Sequence, residues 1–181
     1  MNHQQARDLS RSEKVFWTTC AAPLKEFFEA EEIVATGQHE NGLARMLDFA
    51  GVDYLVYSAK YGLIPIQFKA SFSSKAYRNF VIRRARDNGK ATDWHKLQRA
   101  QAYETLKPQF YCSCFISSDG SADVAIAYTD DLLKFIDSGR ADLHRHDNGT
   151  FYTCDWQRLE DSGVKVFYLN RRADYQRRNC A

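Results

Sequence analysis

The alternation of apolar and polar residues over residues 51–71 predicts two strands joined by a tight turn. Two apolar runs are separated by the turn-forming residues 60–62. Alternate residues of a strand point to the same face of a sheet. We therefore expect Gln67 and Lys69 to project together, while Phe68 points to the opposite face.

An acidic residue lies where the first of these strands begins. Asp53 directly precedes the run Tyr-Leu-Val-Tyr, so the hairpin would bring its carboxylate beside Gln67 and Lys69. A carboxylate, an amide oxygen and an adjacent ammonium could form a small metal site. The plainer interpretation is a hairpin whose exposed face happens to carry these three side chains.

Other periodic segments predict a mixture of helices and strands. Ser10 and Glu13 have the spacing of a capping box, so a helix should begin near Arg11, and Pro23 should interrupt it. Gly51 should end a later helix as a left-handed cap. The remaining predicted helices span residues 24–33, 38–50, 93–107 and 129–136, and the remaining predicted strands span residues 110–116, 124–128, 143–146, 150–154 and 163–169.

Strands and helices mixed in this way favour an α/β fold. We expect a mixed central β-sheet flanked by helices on both faces, with a C-terminal β-hairpin addition turning at Asn148-Gly149. The chain has 181 residues, of which 44% are hydrophobic, and its 12 Phe, 10 Tyr and 3 Trp residues can supply a large core. This length is enough for one well-buried domain.

The cysteine and histidine residues do not suggest a disulfide framework or a metal site. Five cysteines without framework spacing indicate a reducing compartment. Cys112 and Cys114 alternate on a predicted strand and should pack as small apolar residues. His144 and His146 alternate on another strand, without a nearby acid or thiol in sequence, and are interpreted as surface residues.

The chain shows no apolar core of a signal peptide and no run long enough to span a membrane. We therefore expect a cytoplasmic protein without a membrane partner. The sequence leaves the oligomeric state open, a homodimer included.

Residues 72–92 carry a cluster of basic side chains, although the net charge of the whole chain is only +2. The cluster follows Lys69 directly in sequence and contains one acid, Asp87. Its cations could contact phosphates, and an aromatic ring could stack on an unpaired base; a solvated helix face is the alternative. The predicted nucleic-acid-binding residues are Lys75, Tyr77, Arg78, Arg83, Arg84, Arg86 and Lys90.

The acids and the Gln-x-Lys triplet give the chain a resemblance to a known family. Glu40 opens a predicted helix, Asp53 begins a strand, and Gln67-Phe68-Lys69 lies on the next strand. No other Lys in the chain has an Asp, Glu or Gln two residues before it. This order resembles the PD-(D/E)XK nuclease superfamily (restriction-endonuclease-like), in a Gln-x-Lys variant, over about residues 37–117.

The resemblance implies a role for each of these residues. Asp53 would be the central carboxylate ligand of Mg²⁺ or Mn²⁺, with Glu40 as a second ligand. The side-chain oxygen of Gln67 or the backbone carbonyl of Phe68 would complete the protein ligands. Lys69 would position the attacking water and stabilise the developing charge. A first-turn position in a helix explains Glu40 equally well.

The chain departs from the family pattern in two ways. Gln67 replaces the usual Glu and removes a negative charge, so we expect a weaker metal site that fills completely only with substrate, or an impaired site. The family core also has a three-stranded meander before its second helix, whereas only two strands are evident in this sequence.

These observations predict a metal-dependent nuclease, specifically an endonuclease acting on DNA. The first alternative is a catalytically impaired nuclease-fold protein that binds nucleic acid or a protein partner. The second is an interaction protein in which the Asp53–Lys69 pattern is accidental. We expect a single domain over residues 1–181, with a helical N-terminal extension (1–36), a nuclease core (37–117), a C-terminal elaboration (118–170) and a basic tail (171–181).

Overall fold

The computed structural model describes residues 10–37, 42–72, 78–146 and 149–170, which form nine strands and five helices. The strands are β1 (Glu32–Ala35), β2 (Tyr54–Ser58), β3 (Gly62–Phe72), β4 (Asn79–Ala85), β5 (Phe110–Ile116), β6 (Ala122–Tyr128), β7 (Asp142–His146), β8 (Gly149–Asp155) and β9 (Val166–Asn170). The helices are α1 (10–28), α2 (Gly42–Ala50), α3 (Asp93–Ala102), α4 (Thr129–Asp137) and α5 (Trp156–Asp161).

The central sheet has six strands in the order β1-β2-β3-β5-β6-β9. It is mixed, because β3 and β5 are parallel while the other neighbouring strands are antiparallel. Helix α1 packs on one face of this sheet, and α3, α4 and α5 pack on the other. The hairpin β7–β8 forms a second sheet with β4, in the order β4-β8-β7. The predicted fold class is confirmed, including the C-terminal hairpin.

Helix α1 is longer than predicted because Pro23 does not interrupt it. The helix makes a π-helical turn at Phe16–Cys20 and continues as an α-helix over Ala21–Phe28. Proline lacks an N–H and its ring presses on the preceding turn, and the widened π turn lies there. The helix ends where Glu29 adopts a left-handed conformation with φ of 50°. The prediction of a helix over residues 24–33 is therefore correct only as far as Phe28, and residues 32 and 33 belong to strand β1.

Strand β1 supplies the third strand that the sequence did not reveal. It pairs with β2, which pairs with β3, so the three strands form an antiparallel meander with α2 inserted between β1 and β2. The predicted N-terminal extension over residues 1–36 thus provides a helix and an edge strand of the central sheet.

Helix α2 ends at the residue that the sequence predicts, but it buries few of its apolar residues. Gly51 follows the helix with φ of +81°, as predicted. Leu47 of this helix is buried, whereas Leu43 and Met46 are 59% and 55% exposed. The predicted start at residues 38–41 lies outside the described residues. Helix α3 ends five residues earlier than predicted, and Tyr103, which follows it, is exposed.

The basic segment forms an edge strand, β4, rather than a helix face. Phe80 and Ile82 alternate into the core, and Thr92 begins α3 with a capping box that includes His95. Cys112 and Cys114 are buried in the core, as predicted. Among the helices that the structure describes, none is long and apolar enough to cross a membrane.

Candidate active site at a notch in the central sheet

The candidate site lies where β2 begins. Beyond this point, no strand of the described residues pairs with that side of β3. The β2–β3 ladder ends at the pair Tyr54–Ile66, and the backbone N–H of Asp53 donates to Ile66 O at 2.9 Å. Beyond that point Asp53 Oδ2 accepts the backbone N–H of Phe68 at 2.8 Å. The carboxylate thus replaces the next strand acceptor and is fixed at the head of a notch in the sheet.

Gln67 holds the same carboxylate from the side. Its Nε2 donates to Asp53 Oδ2 at 2.6 Å, and the side chain is 5% exposed. Its Oε1 is turned toward Gly51, where an added Cβ would lie 3.0 Å away. The structure therefore brings Gln67 and Asp53 together as predicted, but with the amide donating to the carboxylate.

Lys69 projects on the same side of β3 and meets an acid that the sequence did not single out for the site. Its Nζ lies 3.2 Å from Asp93 Oδ2, in the first turn of α3. The Lys69 side chain is 37% exposed and that of Asp93 is 16% exposed, so the ammonium reaches the cleft while the carboxylate lies beneath it. Lys69 therefore stands between two carboxylates, Asp53 and Asp93.

The two carboxyl groups respond oppositely to this environment. Burial raises the pKa of Asp53 to about 6, against the opposing effects of Lys69 and the Phe68 N–H. Burial acts in the same direction on Asp93, but Lys69 and the backbone N–H of Arg83 hold the pKa of Asp93 below its ordinary value. Asp53 is thus the carboxyl whose negative charge is less well compensated by the protein.

A second acid reaches the notch from α1. Glu13 lies one turn before Phe16, whose ring stacks on Tyr54 with the centroids 3.4 Å apart. Glu13 and Asp53 both raise the pKa of the Tyr54 hydroxyl, after the larger effect of burial. The notch is a cavity of about 390 Å³, lined by Ser12, Glu13, Ala35, Thr36, Gly37, Asp48, Asp53, Tyr54, Phe68, Lys69 and Ala70.

Glu13 was missed as a site residue, and Glu40 lies outside the described residues. Sequence reasoning used Glu13 only as part of a capping box. The available signal was its position three residues before Phe16, on the stripe that α1 turns toward the sheet. An acid on the inner stripe of an amphipathic helix indicates a polar cavity beneath it.

The donor set of the notch fits a hard divalent cation. Since the N–H and C=O of a strand residue point to the same side, the carbonyl of Phe68 is directed into the notch, where the carboxylates of Asp53 and Glu13 also lie. Among the described residues, no group of three or more His, Cys, Asp or Glu side chains could hold a metal. Mg²⁺ needs fewer, because it keeps several waters and takes one or two carboxylates together with substrate phosphates.

The predicted nucleic-acid-binding residues are spread over different environments. Arg78 donates through Nε and Nη2 to the fully buried Asp123 at 2.8 Å, which favours a structural role. Arg83 stacks over Phe151 at 5.0 Å, and Arg84 lies 5.8 Å from the Tyr152 ring. Arg86 is partly buried and Lys90 is exposed, while Lys75 and Tyr77 lie outside the described residues.

Comparisons with known proteins identify no family for this chain. No protein-family model matches it, and no curated protein matches it. One solved structure, described as D212, a nuclease from a fusselovirus, is similar over 90% of each chain, with 12% sequence identity and a TM-score of 0.39. A likeness at this level leaves the function to be argued from the site.

Proposed function

We propose that this protein is a divalent-metal-dependent nuclease of the PD-(D/E)XK type that cleaves DNA internally. One observation carries the proposal: Asp53, Lys69 and the part of β3 beyond its ladder with β2 meet in a single open notch. A buried acid and an ammonium that line one cleft suit hydrolysis of a phosphodiester better than they suit a packed core.

The metal ligands would be Asp53, Glu13 and the carbonyl of Phe68. A hard cation bound there, Mg²⁺ or Mn²⁺, would offset the charge on the scissile phosphate and lower the pKa of its bound water. Gln67 keeps the Asp53 carboxylate oriented by donating to one of its oxygens. The second oxygen of the carboxylate is then the one that faces a ligand.

Lys69 would position the attacking water and stabilise the charge that develops on the phosphate. Its ammonium is held by Asp93 at 3.2 Å, so its orientation is fixed before substrate arrives. Asp93 is thus a positioning residue, and Lys69 is the group that would touch the reacting atoms.

One observation favours a second candidate, an impaired nuclease fold that binds nucleic acid without cleaving it. Gln67 donates to Asp53 and turns its oxygen toward Gly51, so it does not act as a second ligand beside the carboxylate. With Asp53 and Glu13 as its only proposed carboxylate ligands, the site would depend more on substrate oxygens to hold the ion.

Cleavage of supercoiled plasmid DNA in the presence of Mg²⁺ or Mn²⁺ separates the two candidates. The unaltered protein should nick or linearise the plasmid, and both Asp53→Ala and Lys69→Ala should reduce the rate by about a hundredfold or more. Lys60→Ala is the control, because Lys60 pairs with Glu29 at the tip of the β2–β3 hairpin. Metal-independent cleavage, or activity that survives both substitutions, would contradict the nuclease proposal, and DNA binding without cleavage would favour the impaired fold.

A further inference from the structure

We propose that the outer face of the β4-β8-β7 sheet is a stacking platform for single-stranded DNA running to or from the notch. This inference rests on the proposed function, because the platform would bind the DNA strand that the same site cleaves. The platform is defined by three residues in one row across the sheet: Arg83 on β4, Phe151 on β8 and His144 on β7.

The strand register places these three side chains on one face. Arg83 is the Cα partner of Phe151, and Phe151 is the Cα partner of His144. Partners in an antiparallel ladder point to the same side. The neighbouring row, which includes Ile82 and Tyr152, faces the core instead. The Arg83 row therefore lies on the face of this sheet that points away from the core.

The row combines a cation with an aromatic ring in the arrangement that binds unpaired bases. The guanidinium of Arg83 lies 5.0 Å from the centre of the Phe151 ring, and His144 is exposed beside it. Bases stack on aromatic rings and on guanidinium planes, and this binding tolerates any base because each has a π face. Paired bases in a duplex do not offer that face, so the occupant is a single strand.

The platform begins next to the residue that positions Lys69. The backbone N–H of Arg83 donates to the carboxylate of Asp93, which in turn holds Lys69. One residue thus joins the start of the row to the residue that positions Lys69.

The charge around the row complements a phosphate backbone. Arg86 acts on Arg83 as a second nearby cation, and Arg86 Nε is buried with no hydrogen-bond partner among the described residues. The nearest acids of the small sheet are engaged elsewhere, since Asp87 pairs with Arg145 at 3.7 Å and Asp142 pairs with Arg158. A cationic rim with an aromatic centre favours an anionic, base-bearing strand over an acidic protein segment.

The test measures binding, not cleavage, by the anisotropy of a fluorescent oligo(dT) in Ca²⁺ or EDTA. A second oligonucleotide of the same length, with abasic sites in place of the bases, keeps the phosphates and removes the stacking. Phe151→Ala should weaken binding of oligo(dT) about tenfold and change binding of the abasic strand little, whereas Phe151→Tyr should keep the affinity. Tyr61→Ala is the matched control, because Lys60 stacks over Tyr61 at 4.9 Å in a similar pair at the hairpin tip.

The outcomes separate this inference from the nuclease proposal. Base-dependent binding that Phe151→Ala removes, without any metal-dependent cleavage, would support the platform and reject the nuclease. Equal losses for both oligonucleotides, or unchanged binding of oligo(dT), would overturn the platform even where plasmid cleavage is intact. If Phe151→Ala does not fold, Phe151→Leu replaces it in the test. Leu retains apolar volume without a π face, so this variant should also weaken oligo(dT) binding.

Discussion

The two faces of strands β3 and β5 are built from alternate residues of the same segments, yet they do different work. On one face, Phe68 and Cys112 pack beneath α1 in an apolar layer. On the other face, Gln67, Lys69 and Ser113 are polar and lie beneath α3 and β4. A sheet buried on both faces is ordinarily apolar on both, so the polar face needs another explanation.

Two groups of polar side chains can be distinguished on the polar face: those that hold it together and those that are available for catalysis. Tyr111 and Ser113 donate to backbone carbonyls of β4, each at 2.8 Å, and Asp123 pairs with Arg78. These side chains hold β4 against the central sheet, and each has a hydrogen-bond or ion-pair partner. Asp53, by contrast, keeps a raised pKa because its charge is only partly compensated. We therefore expect changes on the apolar face, and to the polar side chains that hold β4, to affect stability. Changes at Asp53 should affect activity.

Phe16→Ala tests the apolar face and should have the largest effect on stability. Phe16 is fully buried and contacts the rings of Tyr54 and Phe68, so its removal should lower the free energy of unfolding by about 3–5 kcal/mol. Phe27→Ala is the control on the same helix, since Phe27 is 38% exposed and should lose much less. Urea denaturation measures both, and similar losses for the two variants would mean that α1 is not packed as described.

Asp53→Asn tests the carboxylate of the candidate site. We expect this variant to be more stable than the wild type and to lose the cleavage activity. The pKa of Asp53 rises from 3.8 to about 6 on folding, so folding favours the protonated form. The stability this group contributes is fully present below about pH 4 and is lost as pH rises through about 6. Asn cannot ionise and should avoid that loss, which makes the variant more stable at pH 7 by about 2–3 kcal/mol.

Denaturation curves across the pH range check this expectation. The two proteins should have similar stability below pH 4 and diverge between pH 4 and pH 6, with the wild type the less stable. A variant that is less stable than the wild type at pH 7 would show that Lys69 overcompensates the burial of Asp53. Cleavage by the wild type should also fall as the pH is lowered, because protonation of Asp53 competes with binding of the metal ion.

Tyr111→Phe tests the hydrogen bonds that hold β4 against the central sheet and should have a moderate effect on stability. The change removes the hydroxyl that donates to Val81 O at 2.8 Å and leaves a buried carbonyl without its partner. We expect a loss of about 1–2 kcal/mol in the free energy of unfolding. Tyr128→Phe is the matched control, because Tyr128 is 38% exposed and should change by less than about 0.5 kcal/mol. An equal effect of both changes would argue against β4 being fastened through Tyr111.

Local alternation was enough to predict the hairpin, the two faces of β3 and the approach of Gln67 and Lys69 to Asp53. These features depend on residues close in sequence and on the period of two of a strand. The strands β1 and β4 were not predicted, because β1 has only four residues and β4 carries charges typical of a solvated helix. Both are recognisable as strands only from the partners they pair with.

The acids of the site show the same limit from the functional side. Glu40 was selected because it opens the predicted helix that precedes Asp53. Glu13 lines the notch instead, from helix α1, which strand β1 and helix α2 separate from Asp53 along the chain. Asp93 was not predicted as a site residue, because its pairing with Lys69 depends on how α3 packs across β3. Contacts set by packing between distant elements are invisible to local periodicity.

Gly51→Ala and Gly62→Ala form a matched pair that gives the smallest effect on stability and sharpens the link between fold and site. Both glycines have φ near +80°, at +81° and +75°, so each substitution should lower the free energy of unfolding by about 1 kcal/mol. Only at Gly51 would the new Cβ also press on Gln67, 3.0 Å from its Oε1, since nothing lies within 4 Å at Gly62. Gly51→Ala should therefore reduce plasmid cleavage while Gly62→Ala leaves it unchanged, because a displaced Gln67 no longer holds the Asp53 carboxylate. Equal cleavage by the two variants would show that the orientation of Gln67 does not matter to the reaction.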